Sequence, residues 1–544
     1  MAIFYLPQID KERCLSWSVE MSPCQAACPL GIDIEGYLAA IAEGDFKKSL
    51  QIIREKCCLP AVCGRVCHHP CETECKRGVV DEPLAIRALK RFAADDCAGL
   101  TQEQATPERT RKEKIAIIGS GPAGLSAAHE LAMAGFGVTI FEAMNVPGGM
   151  LAHGIPEFNL PQAIVQGEID YIRSLGVEIK TGIRVGLDIS LQEIKDQGWG
   201  AILIATGAQE SLRLPVPGGD LAGIQAAIPF LRRSKLEGGT ALSGRVVVLG
   251  GGNVAVDAAR TAVRLGAAEV RMICLESREE LPAGKDMKEE AEREGVIIET
   301  CLSSHSLQSD DGKNVSRIVL RRVTSFCRTR EGQISFTVCD DSKEDVVYDV
   351  SGVIVAIGQR PESVNPDGNF DRQKGGTLVC DSSTGATNRD SIFGTGDIVN
   401  NPGMVTTAMA DGRKVAESII RFLDGKECVP RGPGREPYTG KEIIPHGILP
   451  EPRRLMGSIS PGDAVKSFRE VELGFTRQQA MEEAARCLRC KTCNRCALET
   501  RCVSLNLTEN EEKRSPCVKA MICAGCGRCT RNCPFAMIHL EQFE

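Results

Sequence analysis

Residues 114–124 read Lys-Ile-Ala-Ile-Ile-Gly-Ser-Gly-Pro-Ala-Gly, and this stretch decides the fold of the chain. The apolar run 115–118 predicts a short buried strand, and the alanine-rich residues after the glycines predict a helix. Between them, Gly119 permits a tight turn, Gly121 lets the backbone approach a pyrophosphate, and Gly124 lets helix and strand pack closely. The stretch therefore predicts the first βα turn of a dinucleotide-binding fold, with the phosphates at the helix N-terminus.

An acidic residue completes this fingerprint. Residues 138–141 form the next predicted strand, and Glu142 follows it, where a carboxylate can accept both hydroxyls of an adenosine ribose. A glycine fingerprint alone is weak evidence, but here the strand, the helix and the acid accompany it. The residues expected to hold this nucleotide are Gly119, Gly121, Pro122, Ala123, Gly124, Glu142 and Ala143.

The same pattern recurs further along the chain. Arg245–Leu249 predicts a strand, and glycines at fingerprint spacing follow it directly. Because this second unit lies inside the first, the sequence predicts two nested dinucleotide-binding domains. The second is expected to bind a nicotinamide nucleotide, NAD(H) or NADP(H), through Gly250, Gly252, Asn253, Val254 and Ala255.

Composition narrows the functional classes. The 544 residues suffice for three or four domains, and 42% hydrophobic with 25% charged residues is typical of globular proteins. A net charge of -7 argues against a nucleic-acid partner, which needs a concentrated positive face. No apolar run reaches the about 18 residues that a membrane span needs, and the first residues lack the features of a signal peptide. We therefore expect a cytoplasmic protein without nucleic-acid or membrane partners.

The 26 cysteines are concentrated at the two ends of the chain. Ten lie between Cys14 and Cys97 and ten between Cys487 and Cys533, whereas the six in the middle show no motif spacing. In a cytoplasmic chain, this distribution indicates metal or redox chemistry rather than disulfides.

The C-terminal cysteines predict a ferredoxin-like domain. The spacing Cys523-x2-Cys526-x2-Cys529-x3-Cys533-Pro is that of a bacterial ferredoxin, whereas zinc sites usually pair two short motifs of two ligands. Two [4Fe–4S] clusters are expected, although one of the earlier spacings departs from the usual pattern. Their expected ligands are Cys493, Cys496, Cys502 and Cys533 for one cluster, and Cys517, Cys523, Cys526 and Cys529 for the other.

Three further motifs are Gly148-Gly149 shortly after Glu142, Ala205-Thr206-Gly207 after a strand, and Phe393-Gly-Thr-Gly396-Asp397. Together they resemble the two-dinucleotide flavoprotein family, which binds FAD at the first fingerprint. The resemblance implies that Asp397 contacts the flavin ribityl chain and that a helix from about Thr406 directs its N-terminus at the flavin. The FAD-binding residues that it adds are Gly148, Gly149, Ala205, Thr206, Gly207, Gly396, Asp397, Thr406, Thr407 and Ala408. A disulfide reductase, the rival flavoenzyme, needs a cysteine pair beside the flavin, and no cysteine lies between Gly119 and Ala205.

The chain as a whole resembles the glutamate synthase small-subunit family and the N-terminal part of dihydropyrimidine dehydrogenase. In this family, two arginines commonly precede the position of Ser277 and bind the 2′-phosphate of NADP. Here Leu275 and Glu276 occupy those places, and a carboxylate suits a free ribose hydroxyl, which favours NADH. Arg278 lies close enough in the sequence to bind the 2′-phosphate instead, so NADPH remains an alternative substrate.

The N-terminal cysteines resemble the cluster domain of the same family. They are Cys24, Cys28, Cys63, Cys67, Cys71 and Cys75. The family places an Arg-Cys-Leu-x-Cys element before them, but here that element is incomplete at Cys14 and intact at residues 486–490. We therefore hypothesise that Cys487 and Cys490 fold back and complete one [4Fe–4S] cluster with Cys24 and Cys75. The alternative is that they are spare cysteines of the ferredoxin-like domain.

A second N-terminal cluster, the fourth in the chain, is less complete. The resemblance implies three cysteine ligands and a Gln or Glu in a Leu-x-x-Phe context, where this chain has Lys90. An ammonium group cannot ligate iron, so either Cys63 substitutes or the cluster is absent. Cys57 and Cys58 match no ligand position of the family. The three implied cysteines are Cys28, Cys67 and Cys71.

The predicted architecture is α/β. Two nested Rossmann-like domains are flanked by an N-terminal α-helical iron–sulfur domain and a C-terminal bacterial-ferredoxin-like α+β domain. The expected boundaries are 1–100 for the helical iron–sulfur domain, 101–240 and 351–425 for the two parts of the FAD-binding domain, 241–350 for the NAD(P)-binding domain, 426–475 for a linker and 476–544 for the ferredoxin-like domain.

These features predict an NAD(P)H-dependent oxidoreductase in which hydride passes to flavin N5 without a catalytic side chain. Electrons then pass to three or four [4Fe–4S] clusters, and on to ferredoxin or to other redox subunits. The terminal chemistry is expected on partners in an anaerobic complex, such as a transhydrogenase, hydrogenase or formate dehydrogenase, including electron-bifurcating ones. The alternatives are a free-standing NAD(P)H:ferredoxin oxidoreductase and a non-catalytic cluster-bearing scaffold, which two complete fingerprints disfavour.

Overall fold

A computed structural model of the chain describes most of its residues. The described ranges are 4–9, 21–98, 106–329, 334–362, 370–373, 375–400, 403–427, 450–490, 505–510, 513–518 and 538–543. In the first and the last three of these ranges, only the course of the backbone is described.

Residues 21–98 are helical, residues 114–299 contain both helices and strands, and residues 302–360 form mainly strands. The α-helices are α1 (Pro23–Ala27), α2 (Ile34–Ala42), α3 (Phe46–Arg54), α4 (Pro60–Val66), α5 (Pro70–Thr73), α6 (Ile86–Asp96), α7 (Pro122–Met133), α8 (Met150–His153), α9 (Gln162–Ser174), α10 (Leu191–Asp196), α11 (Ala227–Glu237), α12 (Asn253–Arg264), α13 (Lys285–Arg293), α14 (Val405–Leu423), α15 (Pro461–Ala464) and α16 (Arg477–Ala485). The strands are β1 (Phe4–Ile9), β2 (Lys114–Ile118), β3 (Gly137–Phe141), β4 (Glu178–Lys180), β5 (Ala201–Ile204), β6 (Glu210–Ser211), β7 (Ile224–Ala226), β8 (Arg245–Leu249), β9 (Glu269–Ile273), β10 (Ile297–Glu299), β11 (Leu302–Gln308), β12 (Arg317–Arg328), β13 (Ile334–Val338), β14 (Val346–Asp349), β15 (Gly352–Val355), β16 (Gln359–Arg360), β17 (Ile392–Gly394), β18 (Gly457–Ser458), β19 (Glu472–Gly474), β20 (Leu505–Asn510), β21 (Lys513–Val518) and β22 (Ile538–Phe543). Within the described residues, no helix has both the length and the apolar character needed to cross a membrane.

The chain divides into two compact units. Unit 1 comprises Met1–Glu103, Pro430–Gly457 and Gly474–Glu544, and unit 2 comprises Gln104–Val429 and Ser458–Leu473. Each unit therefore draws on parts of the chain that are distant in sequence.

Unit 1 contains a small helical domain. Helix α2 has the bounds that its apolar periodicity predicts, and the Asp33 side chain caps it by accepting a hydrogen bond from the Gly36 N–H. Helix α4 packs closely against α6, because a Cβ at Gly64 would lie only 2.5 Å from the Cα of Arg91. This close approach brings the cysteine-bearing helix α4 directly onto α6.

The backbone of unit 1 also joins the two ends of the chain. Strand β1 pairs antiparallel with β22, from Phe4 opposite Phe543 to Ile9 opposite Ile538. Strands β20 and β21 form an antiparallel hairpin just before the predicted ferredoxin run. The C-terminal strands thus belong to the same unit as the N-terminal helices.

Unit 2 is built on two parallel sheets. The first has the order β17-β5-β2-β3-β4, and the second has the order β10-β9-β8-β15-β7. The second sheet enters the chain between β5 and β17, so the nesting predicted from the two fingerprints is confirmed. An antiparallel group, in which β12 pairs with β11, β13 and β14, extends the second domain.

A segment that the sequence places in a linker packs into unit 2 instead. Within residues 458–473, Ala464 and Val471 form a buried apolar cluster with Phe158. The Val471 N–H donates a hydrogen bond to the Phe158 carbonyl at 3.0 Å, and Arg264 donates to the Ser467 carbonyl at 3.2 Å. Residues 458–473, which the predicted linker 426–475 includes, are therefore held in unit 2 by apolar burial and hydrogen bonds.

Helices α7 and α14 pack at very short range. A Cβ at Gly412 in α14 would lie 2.1 Å from the carbonyl oxygen of Ala123 in α7. Beside it, the Ser126 hydroxyl donates a hydrogen bond of 2.8 Å to the Met409 carbonyl. This contact fixes the helix after the Gly396 turn against the first fingerprint helix.

We predict that Gly412→Ala destabilises unit 2 by about 1–3 kcal/mol, because the added methyl group overlaps backbone atoms that cannot move freely. The matched control is Gly167→Ala in α9, where nothing lies within 4 Å of the Cβ position. It should be neutral or stabilise by about 0.5–1 kcal/mol, since alanine is the better helix former. Urea unfolding followed by circular dichroism measures both, and equal midpoints would contradict this packing.

Candidate functional site

The first fingerprint lies at the point where the order of the strands in its sheet reverses, between β2 and β5. A Cβ at Gly119 would lie 2.5 Å from the carbonyl oxygen of Ala205, and one at Gly124 would lie 2.1 Å from that of Gly119. No side chain fits at either position. By contrast, nothing lies within 4 Å of the Cβ position of Gly121, which leaves open space at the N-terminus of α7 for a pyrophosphate.

Two other predicted turns converge on this helix terminus. A Cβ at Gly149 would lie 2.7 Å from the Cα of Gly121, and one at Gly396 would lie 2.9 Å from the Cβ of Ala123. Thr406, Thr407 and Ala408 form the first turn of α14, which packs on α7. The structure therefore gathers most of the residues predicted for the first nucleotide around one end of α7.

Glu142 is held in place by the fingerprint loop. Its Oε2 atom accepts hydrogen bonds from the N–H of Ser120 at 2.9 Å and from its hydroxyl at 2.5 Å, and its Oε1 atom accepts from the Met144 N–H at 2.8 Å. The carboxylate is 6% exposed, so it is oriented before any nucleotide binds. Ser120, which the sequence interpretation did not single out, links Glu142 to the Gly148 turn through a further bond of 2.9 Å.

Buried polar atoms mark where a cofactor would complete the site. Among the described residues, the hydroxyl oxygens of Thr395 and Thr406 and the Nδ1 atom of His153 are buried without a hydrogen-bond partner. Such groups are costly unless they are satisfied, and FAD offers ring and ribityl atoms that could satisfy them. Burial also raises the pKa of Asp397, which accepts a 3.2 Å bond from the Gly403 N–H. These residues fit FAD. The sequence did not predict Thr395 or His153 as part of this site, although Thr395 lies within the Gly-Thr-Gly motif.

The second fingerprint repeats the geometry of the first. A Cβ at Gly250 would lie 2.4 Å from the carbonyl oxygen of Ala356, and the space in front of Gly252 is open. Asn253, Val254 and Ala255 open helix α12, and the Asn253 side chain accepts a 3.1 Å hydrogen bond from the Gly284 N–H. This crevice can therefore take a second dinucleotide.

Glu276 lies against the second glycine loop. A Cβ at Gly251 would lie 3.1 Å from its Oε2 atom, and the carboxylate is 5% exposed. Its Oε1 atom accepts a hydrogen bond of 2.5 Å from Arg328 on β12, whereas Arg278 pairs with Glu292 at 2.6 Å. Arg328 was missed because it comes from a strand far away in the chain, and no local pattern connects it with the fingerprint.

Four cysteines from the two ends of the chain line one cavity in unit 1. The cavity, about 350 Å³ including its opening, is lined by Cys24, Cys75, Cys487 and Cys490 together with Glu35 and Leu38 among others. Burial raises the pKa of the Cys24 thiol to about 12 and also raises those of the other three. No three His, Cys, Asp or Glu side chains of the described chain converge tightly enough for a single metal ion. A cubane, which spaces its sulfur ligands around its own core, suits four buried thiols better.

Ion pairs fix the segment just before Cys487, which leads the chain back to this cavity. Arg486 donates hydrogen bonds to Glu483 at 2.7 Å and to Asp81 at 2.9 Å, and its carbonyl accepts from Arg77 at 3.3 Å. Glu483 in turn accepts from the Ala85 N–H at 2.9 Å. Although burial opposes it, the bond from Arg77 keeps the pKa of Asp81 below its usual range, so Asp81 stays charged in this pair.

The remaining N-terminal cysteines lie in the helical domain that also buries Lys90. Those among the predicted ligands are Cys28, Cys63, Cys67 and Cys71. The predicted ligands of the ferredoxin-like domain lie outside the described residues, apart from the backbone position of Cys517 on β21; they are Cys493, Cys496, Cys502, Cys523, Cys526, Cys529 and Cys533.

The sequence matches two family models. Residues 113–412 match the pyridine nucleotide-disulphide oxidoreductase family, and residues 8–101 match dihydropyrimidine dehydrogenase domain II, 4Fe-4S cluster. Together they cover the two fingerprints and the N-terminal cysteines, and they confirm the predicted fold class.

Several curated proteins are similar over most of their length. The NADP(+)-dependent formate dehydrogenase subunit beta of Moorella thermoacetica is 39% identical, over 86% of this chain and 70% of its own. The NADPH-Fe(3+) oxidoreductase subunit beta of Geobacter sulfurreducens is 35% identical, over 86% and 75%. The glutamate synthase [NADPH] small chain of Azospirillum brasilense is 31% identical, over 75% and 87%, which confirms the family resemblance. A solved structure of FprA from Mycobacterium tuberculosis, with 21% identity and a TM-score of 0.50, covers 58% of this chain and 85% of its own and shows likeness of fold alone.

We predict that Glu142→Gln weakens FAD binding by about tenfold or more, because a charge-assisted hydrogen bond contributes about 1.5–3 kcal/mol. The control is Glu178→Gln on β4, whose carboxylate accepts a 3.0 Å bond from Thr139 away from the glycine loop. Flavin retained per chain after gel filtration, followed by titration of FAD, measures the effect. Equal FAD affinity in the two variants would show that Glu142 does not contact the nucleotide.

Proposed function

The chain belongs to the pyridine nucleotide-disulphide oxidoreductase family, and on that basis we propose that it carries electrons between a nicotinamide nucleotide and partner redox subunits. It is an NAD(P)H-dependent oxidoreductase with FAD and iron–sulfur sites. When bound, FAD would supply the redox chemistry, because it can accept a hydride from the nicotinamide and release electrons one at a time to the clusters. The protein's own part is to bind the two nucleotides at its two glycine crevices and to hold the clusters by cysteine.

The strongest support for this proposal is the cavity that cysteines from both ends of the chain line. We assign Cys24, Cys75, Cys487 and Cys490 as the four ligands of one [4Fe–4S] cluster. Their burial and the ion pairs of Arg486 support this assignment, because both position the thiols before iron binds. The spare-cysteine alternative leaves the convergence of these four side chains without a purpose.

The C-terminal cysteines extend the same electron path in this proposal. Cysteine spacing supports two further clusters in residues 476–544, and the pairing of β1 with β22 supports a compact module there. The cysteine-rich composition at both ends also supports a reducing, cytoplasmic location.

Partner subunits supply the terminal chemistry. The similar proteins bear the words subunit beta or small chain in their names, which supports a place in a multi-subunit complex. Among the complexes considered, the 39% identity to a formate dehydrogenase subunit favours a formate dehydrogenase type of partner. Ferredoxin is a further acceptor in this proposal.

The position of Glu276 supports NADH as the preferred nucleotide. Its carboxylate lies beside Gly251, where it can accept the ribose hydroxyls as Glu142 can in the first crevice. A 2′-phosphate at that place would meet a negative charge. Arg328 lowers this repulsion by pairing with Glu276, so NADPH is disfavoured rather than excluded.

We predict that Cys487→Ala lowers the iron content by about one to four atoms per chain, because the cluster keeps only three of its cysteine ligands. Cys97→Ala is the matched control, since Cys97 is buried in unit 1 against Leu50 and Ala94, away from the cavity. Iron and sulfide analysis with low-temperature EPR gives the result. Loss of a C-terminal ferredoxin signal only, or no loss of iron, would contradict the assignment.

For the nucleotide, Glu276→Gln should lower the NADH/NADPH ratio of kcat/KM by about tenfold, which corresponds to about 1.4 kcal/mol. Glu269→Gln serves as the control, because Glu269 pairs with Arg245 and Arg271 at the N-terminal end of β9, away from the glycine loop. The measurement is the rate of dye reduction by each nucleotide. A wild-type preference for NADPH, or equal ratios in both variants, would refute the role of Glu276.

A further inference from the structure

The residues that follow the Gly149 turn connect the two dinucleotide-binding domains of unit 2. We call residues 150–160 the bridging segment. At its start, a Cβ at Gly149 would lie 2.7 Å from the Cα of Gly121, at the N-terminus of the first fingerprint helix. Helix α8, which opens the segment, contacts α11, and α11 follows strand β7 of the second sheet. The bridging segment therefore begins at the first nucleotide crevice and continues onto the second domain.

One ammonium group holds the backbone of the bridging segment along its length. Lys235 on α11 donates three hydrogen bonds to carbonyl oxygens of the segment. The acceptors are Leu151 at 3.0 Å, Ile155 at 2.8 Å and Leu160 at 2.9 Å. An ammonium group has three N–H donors and no acceptor, so these bonds use its full capacity. Because the donor is charged, each bond is stronger than one between neutral groups.

The Asn159 side chain makes a second contact, with the helix that opens the second crevice. Its Nδ2 group donates a hydrogen bond of 2.8 Å to Asp257, and its Oδ1 atom accepts one of 3.2 Å from Arg260, both on α12. Arg260 is fully buried, and ion pairs of 2.7 Å with Glu290 and Glu294 fix its guanidinium group. The amide of Asn159 is therefore held by a helix whose side chains are themselves fixed.

The Phe158 ring makes a third contact. Its centre lies 3.8 Å from the guanidinium carbon of Arg264 and 4.8 Å from that of Arg260. The ring also packs against Ala464 and Val471, and Phe158 is 1% exposed. Backbone carbonyls and side chains of the bridging segment thus bind the second domain at separate points.

The contact made by Lys235 depends on its charge. Burial lowers the pKa of Lys235 to about 8, although the carboxylates of Glu157 and Asp257 favour its charged form. Burial raises the pKa of Asp257 to about 7, so Asp257 is ionised when Lys235 titrates. Burial and the charges of Arg232 and Lys235 lower the pKa of His153 on α8, so His153 is neutral in that range. A protonated Lys235 serves all three carbonyls, whereas the neutral amine has only two N–H groups.

We propose that Lys235 is a positioning residue for hydride transfer, which holds the bridging segment so that the Gly149 turn and the second crevice keep one arrangement. The proposal rests on the two-nucleotide function proposed above and adds a residue to it. The reaction moves a hydride, which is two electrons and one proton, from the reduced nicotinamide to the oxidised flavin. The reacting atoms must lie about 3–3.5 Å apart, so loosening the segment should slow this step without weakening nucleotide binding.

The test uses Lys235→Met in the purified full-length protein. Methionine is also a long unbranched side chain, but it donates no hydrogen bond. The matched control is Lys195→Met, which changes an exposed lysine on α10 in the first domain. Both variants should retain FAD and the wild-type circular dichroism spectrum.

Hydrogen–deuterium exchange gives a readout that is independent of turnover. The N–H groups of Ile155 and Leu160 donate to the carbonyls of Met150 and Pro156 within the segment, so their exchange reports local opening. In Lys235→Met, these amides should exchange roughly tenfold faster, because three charge-assisted hydrogen bonds are lost. The control should exchange like the wild type. Unchanged exchange in Lys235→Met would overturn the proposal.

Anaerobic stopped-flow measurements separate positioning from binding. Lys235→Met should lower the rate constant of flavin reduction by NADH and by NADPH roughly tenfold or more. Titration with NAD⁺ and NADP⁺ should give dissociation constants within about twofold of the wild type, because only the chemical step is affected. An unchanged rate constant, or a loss of affinity as large as the loss of rate, would contradict a positioning role.

The pH profile distinguishes this role from a purely structural one. In the wild type, the rate constant should fall as the pH rises through about 8, where Lys235 loses its proton and one carbonyl loses its donor. Lys235→Met lacks the titrating group and should show no such fall. The same profile in both proteins would rule out the proposed role of the ammonium group.

A second variant decides if Lys235→Met loses its flavin or its fold. Asn159→Ala removes the amide contact with Asp257 and Arg260 but keeps the ammonium group. It should also accelerate exchange in the bridging segment and lower the rate constant without weakening NAD⁺ binding. If Asn159→Ala behaves like the wild type, the bridging segment does not position the reaction.

Failure of this inference is distinguishable from failure of the proposed function. If only the inference fails, a nicotinamide nucleotide reduces the flavin of the wild type, and Lys235→Met behaves in the same way. If the proposed function fails, neither nucleotide reduces the flavin of the wild type, whatever the exchange of the bridging segment.

Discussion

The buried pairing of Arg486 with Asp81 and Glu483 is the interaction on which the arrangement of unit 1 depends. Arg486 and Asp81 are 405 residues apart in sequence, and their side chains are 1% and 8% exposed. Removing one partner of such a pair typically costs about 3–5 kcal/mol, because the other charge is left buried and uncompensated. Since Cys487 directly follows Arg486, the network that satisfies these charges also brings the C-terminal cysteines to the cavity of the N-terminal ones.

Unit 2 depends on a different constraint, the close approach of backbones that only glycine permits. Gly119 and Gly250 occupy equivalent places in the two sheets, each facing a carbonyl oxygen at about 2.5 Å from its missing Cβ. The acids that follow differ in their partners. Glu142 is held by neutral donors from Ser120, whereas Glu276 is paired with the cation of Arg328. The two crevices therefore share their glycine geometry and differ in the charge beside their acids.

Much of this organisation could be predicted from sequence, because it depends on short-range patterns. The bounds of β2, β8 and α2, the nesting of the two domains and the convergence of Cys487 with Cys24 all follow from periodicity, glycine spacing or a displaced motif. What escaped prediction depends on long-range contacts. Arg328 reaches Glu276 from another strand, and residues 458–473, which fall within the predicted linker, pack against Phe158. Lys90 becomes buried only when α4 packs onto α6, a contact that no local sequence pattern predicts.

We propose that cysteines from both ends of the chain share one metal site. The most direct test is an anomalous difference map recorded at the iron edge from anaerobically grown crystals of the loaded protein. We predict a peak enclosed by the sulfurs of Cys24, Cys75, Cys487 and Cys490. A map without iron there, or with Cys487 and Cys490 bound to iron among the C-terminal cysteines, would contradict the account.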